Sequence, residues 1–202
     1  MTPDLRRLLL AAINATGPPT SDYDLNPVSE SRQRSSLRPA SVLLPIVQRP
    51  GGARIFLTKR SSALEHHPGQ IAFPGGKIDP DDDGAIGAAL REAHEEIGLH
   101  PRQVELLGIL PPHETVTGFT VTPVLALVDP AYVPVREVGE VDEVFEAPFS
   151  HVTTTTHYSV QSRRWRGEWR KYYTVAWGPY YIWGATARML RALADRMADA
   201  PD

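Results

Sequence analysis

Three glutamates, Glu92, Glu95 and Glu96, stand in a stretch whose other residues favour a helix, and their spacing is what could do chemistry. At about 100° per residue, Ile86, Leu90, Ala93 and Ile97 fall on one side of that helix and the three glutamates cluster on the other. Like charges three or four residues apart cost roughly 0.2–0.5 kcal/mol per pair on an exposed helix, so the cluster is unfavourable unless a cation offsets it. A solvated acidic face is the plain alternative, and an isolated Glu-rich helix would favour it. Here, however, Gly75 and Gly76 stand directly before the helix, followed by Asp79, Asp81, Asp82 and Asp83. Glycines lack the side chains that would keep a backbone carbonyl away from a helix-held ion. Glycines, acids and helix form one unit, and its chemistry is that of a hard divalent cation on oxygen ligands.

The elements that must position this unit follow from patterning. An apolar strand-like run at 40–47, a turn at Pro50-Gly51-Gly52 and a second run at 54–58 predict a hairpin. A polar loop with His66, His67 and Gly69 leads to a short strand at 70–73 and the breaker Pro74-Gly75-Gly76. The helix runs from about 83 to 97 and ends at Gly98, the small residue expected beyond a helix C-terminus. Further strands are predicted at 104–110, 120–128, 141–145 and 172–177, with a hairpin tip at 165–169 and a closing amphipathic helix over 183–197 that contains Leu190 and Leu193. At the other end, Leu5, Leu8, Leu9, Ala12 and Ile13 recur at helical spacing behind Pro3 and Asp4, so a docked amphipathic helix is expected there. Residues 17–38, rich in Pro, Ser and charge, read as an extended arm.

Length and composition bound the rest. A chain of 202 residues with 42% hydrophobic content buries one sizeable core, so the expectation is one domain over 39–199 with the helix and arm of 1–38 appended. A net charge of -3 argues against a protein held on nucleic acid by a general basic field. No cysteine is present, which excludes disulfides, thiolate metal sites and cysteine nucleophiles. Arg6 and Arg7 ahead of 8–13 resemble the start of a secretory signal, but the apolar run is too short, and no run of about 20 apolar residues suggests a membrane span. A cytoplasmic location is expected.

Gly76, an acid at Asp82, and Arg91-Glu92-Ala93-His94-Glu95-Glu96-Ile97-Gly98-Leu99 resemble the Nudix box, a long and specific signature. The box usually carries a glutamate where Asp82 stands, and the loop from that acid to Arg91 is one residue longer here. The stretched loop resembles the coenzyme A pyrophosphatase branch, as do Leu57-Thr58-Lys59-Arg60-Ser61, Gly69-Gln70-Ile71-Ala72-Phe73-Pro74-Gly75-Gly76, Thr122-Pro123-Val124 and Ile182-Trp183-Gly184-Ala185-Thr186-Ala187. The likeness covers roughly residues 40–195, and Glu65 departs from it, standing where that branch commonly has an arginine.

The resemblance implies a mixed α/β (α+β) Nudix fold, an α/β/α sandwich with a mixed central sheet. It implies Mg²⁺, with Mn²⁺ as an alternative, on Glu92, Glu95 and Glu96 and the Gly76 carbonyl, with Arg91 orienting the glutamates. Glu140 and Glu143 are both candidates for the general base; the branch's Glu-Val pattern favours Glu140, while a solvent-facing role is as good for either alone. Arg60, Lys59 and Gly75 are expected at the substrate, His66 and His67 more weakly. The implied reaction cleaves the diphosphate of coenzyme A or an acyl derivative to 3′-phospho-ADP and 4′-phosphopantetheine. ADP-ribose or a dinucleotide is the near alternative, and a Nudix-fold binding module without turnover is the alternative of another class, against which the intact glutamates stand.

Three readings outside the box complete the set. Residues 163–171 interleave cations with Trp165 and Trp169, a pattern that could stack adenine, although a plain exposed hairpin is preferred. Residues 113–119 are expected to form a loop beside the site, and Trp177 and Trp183 to be core aromatics. The helix and arm at the N-terminus offer extra surface for a second subunit, so a homodimer is the expected assembly.

Overall fold

The computed structural model describes residues 3–26, 36–165 and 167–199; the middle of the expected arm and Arg166 at the expected hairpin tip lie outside the described residues. Helix α1 (Pro3–Asn14) forms where its apolar spacing predicted, with Leu9 and Ala12 fully buried. The hairpin is β2 (Arg38–Arg49) and β3 (Gly52–Arg60), longer at both ends than its apolar runs. After β4 (Ile71–Ala72) and β5 (Gly75–Lys77) comes α2 (Gly84–Ile97), the helix of the glutamates. Strand β8 (Phe119–Val128) lies parallel to β2, while β3 pairs antiparallel with β2 on its other side, so the sheet is mixed. Strand β6 (Val104–Ile109) pairs antiparallel with β8, and β9 (Val141–Pro148), followed by the short helix α3 (Phe149–Val152), with β3. A second, three-stranded antiparallel sheet holds β10 (Ser159–Trp165), β11 (Glu168–Trp177) and β12 (Tyr180–Trp183), and leads into α4 (Gly184–Ala198).

Strand β2 reads as a continuous apolar run because both its faces are covered. Leu44 and Ile46 point to a core shared with Leu9 of α1 and with Ala187, Leu190 and Leu193 of α4. Leu43 and Val47, one pleat away, point to the other side and pack with Phe56, Val124 and Ala89, Ala93 and Ile97 of α2. Helices on both faces of a mixed sheet make the sandwich that the resemblance implies. Among the described residues no helix is long and apolar enough to cross a membrane.

Two expectations about packing need correction. The buried stripe of α2 runs through Ala89, Ala93 and Ile97 and takes in Glu96, while Ile86 is 37% exposed. Small alanines let the helix rest on β2 and β8 along a line rotated away from Ile86, so the stripe is centred elsewhere than the larger side chains suggested. Residues 113–119 begin as a strand, not a loop: β7 (His113–Glu114) pairs with β8 and, in parallel, with β1 (Thr20–Ser21) from the arm. His113 is fully buried there, with Nδ1 at 2.9 Å from Thr20 Oγ1 and Nε2 at 3.2 Å from Asp22 Oδ1.

Candidate active site

Strand β5 lays Gly75 and Gly76 against the centre of the sheet, Val42 and Ser41 of β2 being their partners. Gly75 has φ +156°, and a Cβ there would sit 2.4 Å from the Ser41 carbonyl oxygen. At Gly76 a Cβ would sit 2.4 Å from Glu92 Oε1 instead. One glycine therefore lets the strand close on its neighbour, and the next leaves room for a carboxylate of α2.

Arg91 ties the loop before α2 to the helix. Its Nε and Nη2 donate to the two oxygens of Asp82, at 2.9 and 3.0 Å, a bidentate pair. Nη1 donates to Glu92 Oε1 and Glu95 Oε2, both at 3.0 Å, and Nη2 also reaches the Lys77 carbonyl at 3.2 Å. The guanidinium holds the Asp82 carboxyl below the usual carboxylate range.

Glu96 lies deepest, 4% exposed, its Oε2 accepting the Gly75 N–H at 3.3 Å. Burial first, and then the charge of Glu92, push its carboxyl up to about 8. Burial raises Glu92 as well, against the lowering influence of Arg91. The Glu140 carbonyl accepts the Ser61 N–H at 2.8 Å, beside Arg60, and the charge of Glu140 acts on both glutamates. Arg60, at the end of β3 where a bulge separates it from Lys59, bears on Glu96 with the opposite sign.

Glu140 arrives through a loop fastened to the end of α2. The Tyr132 hydroxyl donates to the Ile97 carbonyl at 2.6 Å, Val135 N–H to the same carbonyl at 2.9 Å, and Glu137 N–H to the Glu96 carbonyl at 2.9 Å. Glu143 is placed differently: it accepts a 2.5 Å hydrogen bond from the Tyr180 hydroxyl, and Tyr180 in turn stacks on Phe145 at 3.6 Å. The structure thus gathers Gly75, Gly76, Glu92, Glu95, Glu96, Arg91, Arg60 and Glu140. It leaves Glu143 on the side of β12, Lys59 in register with Ile71 and Glu143, and Glu65 and His66 exposed in the loop after β3. Tyr132, Tyr180 and the Thr20–His113–Asp22 group escaped sequence reading, since nothing local marks a partner that lies tens of residues away. Trp183, expected in the core, is half-buried on the wall of a cleft.

A divalent cation fits this donor set by charge and hardness. Among the described residues this buried carboxyl beside two others has one backbone N–H as hydrogen-bond donor, so its ionised form lacks compensation that a divalent cation would supply. Among the described residues no three such groups already converge on one point, because Arg91 draws Glu92 and Glu95 aside. Glu95, its side chain 56% exposed, is free to swing toward an ion.

The raised carboxyl of Glu96 predicts a pH dependence for the metal-free protein. Its contribution to stability is complete below pH about 4.5 and is lost as pH rises through about 8, because the folded site resists ionisation more than the unfolded chain does. Melts in chelator at pH 5, 7 and 9 should show Glu96→Gln gaining on the wild type as pH rises, by ~2–4 kcal/mol at pH 9. Parallel curves would show that Glu96 is not strained by its burial.

Comparison with known proteins agrees with the resemblance to the Nudix family. The chain matches the NUDIX domain family over residues 37–176. It is 42% identical over 173 residues to the uncharacterized Nudix hydrolase NudL of Enterobacter sp. (strain 638), covering 85% of this chain and 88% of the relative. It is 40% identical over 171 residues to NudL of Escherichia coli (strain K12), with the same coverage of each chain. Among solved structures, the MutT/nudix family protein of Enterococcus faecalis aligns with a TM-score of 0.51 over 85% of this chain and 66% of that one, at 13% identity, a likeness of fold alone.

Proposed function

Because this chain belongs to the Nudix family, as a hydrolase of pyrophosphate bonds, we propose that its substrate is coenzyme A or an acyl derivative, cleaved to 3′-phospho-ADP and 4′-phosphopantetheine. The observation that carries the reading is the meeting of Glu92, Glu95 and Glu96 with Gly75, Gly76 and Arg60 at one end of α2. Arg60 and both glycines come from the two segments, 57–61 and 69–76, that resemble the coenzyme A branch.

Glu92, Glu95, Glu96 and the Gly76 carbonyl are the ligands assigned to Mg²⁺ or Mn²⁺, which when bound would neutralise phosphate oxygens and acidify a water. Arg91 holds the carboxylates in place and keeps the preceding loop on the helix. Arg60 faces the charge of the diphosphate, and Glu140 accepts the proton of the water that attacks phosphorus as the bridging P–O bond breaks. The hydrogen bond that Glu143 accepts from Tyr180 supports Glu140 over it for that task. Glu140→Gln is accordingly expected to lower kcat by about 10²–10³-fold and Glu143→Gln by less than about threefold. Equal losses in the two variants, measured on the same substrate, would remove the distinction.

A second substrate reading rests on Glu65. Its negative charge stands exposed in the loop after β3, where the coenzyme A branch commonly has a cation, and this favours ADP-ribose or a dinucleotide. Incubating the protein and Mg²⁺ with coenzyme A, ADP-ribose, a dinucleotide and nucleoside triphosphates, then identifying products by chromatography, separates the readings. Coenzyme A is expected to turn over fastest. ADP-ribose turning over faster would establish the second reading, and no turnover of any compound would mean a binding module.

A further inference from the structure

A cavity of about 100 Å³ opens between the second sheet and the loop ahead of β4, and its walls carry Trp165, Tyr172 and Trp183 together with Arg163, Arg170 and Lys171. The Arg163 guanidinium lies 4.4 Å from the centre of the Trp183 ring, and Tyr172 meets that ring edge-on at 5.3 Å. Aromatic and guanidinium planes so arranged offer stacking surface to a flat, uncharged ring. Arg170 adds a different signal. Its guanidinium lies over Tyr23 at 4.6 Å and over Trp165 at 5.5 Å, and its Nη2 is buried with no hydrogen-bond partner among the described residues. A buried charged donor left without an acceptor bears its desolvation cost uncompensated, so such a group is expected where a ligand oxygen completes it.

The carboxylate in this cavity does not serve as that acceptor. Asp22 receives the Val116 N–H at 2.9 Å on one oxygen and lies 3.2 Å from His113 Nε2 on the other, which commits it to anchoring the arm. The cavity therefore retains a cationic wall of Arg163, Arg170 and Lys171.

The cavity also adjoins the acidic site. Gln70 and His67 line it, and the Gln70 carbonyl accepts the Arg60 N–H at 3.0 Å. Arg60 acts electrostatically on Glu96 on one side and on His67 on the other, and Arg163 acts on His67 as well. Thr186 at the start of α4 donates to the Ile71 carbonyl at 3.1 Å, which fixes the cavity wall to the strand that leads into Gly75.

We infer that this cavity is the subsite for the nucleoside end of the substrate, taking a purine ring on the Trp183–Arg163 face and a phosphate borne by the ribose on Arg170 and Lys171. The inference rests on the reading that the substrate is a nucleoside diphosphate derivative, and it narrows the class to those with a further phosphate on the ribose. Pantetheine, flexible and uncharged, lies outside the cavity.

The test uses the full chain with Mg²⁺ and compares coenzyme A with dephospho-coenzyme A. The wild type is expected to favour coenzyme A in kcat/KM by at least about tenfold. Arg170→Met and Lys171→Gln are expected to bring that ratio close to one, and Arg163→Ala to raise KM for both compounds about tenfold with a much smaller change in kcat. Adenosine 3′,5′-bisphosphate, titrated calorimetrically into metal-free protein, is expected to bind the wild type and to lose at least about tenfold in affinity in each variant. Should Arg170→Met fail to fold, the exposed Arg163 and Lys171 carry the test. Wild-type preference and affinity in Arg163→Ala and Lys171→Gln would overturn the subsite while leaving the hydrolase reading intact. Binding of the bisphosphate that these variants abolish, without turnover of any substrate, would uphold the subsite and overturn that reading.

Discussion

Glu95→Gln is expected to lower Mg²⁺-supported kcat by about 10³-fold while the melting temperature of the metal-free protein stays within about 2 °C of the wild type. The two halves of this result have separate origins. Glu95 is exposed, and its tie to the fold is an i,i+4 ion pair with Arg91, a kind worth about 0.3–0.5 kcal/mol. The amide preserves the shape and can still accept from Arg91, so little stability is at stake. What it removes is a full negative charge from the group assigned to the cation, and roughly 4 kcal/mol of transition-state stabilisation corresponds to that rate. Initial rates and a thermal melt on the same preparation check both halves. Full activity in this variant would sink the proposed metal site.

The second large effect belongs to the glycine pair and splits between them. In Gly75→Ala the new methyl would lie 2.4 Å from the Ser41 carbonyl oxygen and 2.6 Å from Val42 Cα, both backbone atoms of the central strand β2. Neither can yield without breaking the ladder that holds β5, and the φ of +156° adds strain of its own. A loss of about 3 kcal/mol or more is expected, read as a lower urea midpoint or as insoluble protein. In Gly76→Ala the clash is with the Glu92 carboxylate, the end of a side chain that can turn away. Stability should fall by about 1 kcal/mol, and kcat by about 10²-fold as Glu92 is displaced. A Gly75→Ala protein with a wild-type midpoint would mean that β5 is not held as described.

The parts of the molecule that were legible beforehand are those whose signal is local. The periodicity of α2, its end at Gly98 with φ 70°, and the hairpin of β2 and β3 are each written within a few consecutive residues. The glutamate cluster was legible for the same reason. Its internal division was not: Glu96 is buried and Glu95 exposed because α2 rests on the sheet along Ala89 and Ala93, a choice made by the strands beneath. Nor does the sequence near Glu140 show that Tyr132 and Glu137 reach back to α2, or that His113 will meet Thr20 and Asp22 of the arm. Such pairings depend on the closed sheet and have no periodic trace. The reading of Trp183 as a core aromatic failed likewise, because the sheet that bears it ends beside a cleft.

The pair formed by Arg91 and Asp82 makes two apparently separate departures from the usual box into one. The side chain at position 82 is a methylene shorter than the customary glutamate, and the loop that carries it is a residue longer, yet both carboxylate oxygens meet the guanidinium at about 3 Å. Backbone slack has replaced side-chain reach. Restoring the glutamate or deleting the residue is each expected to disturb the bridge, and a double-mutant cycle is expected to read the two positions as non-additive.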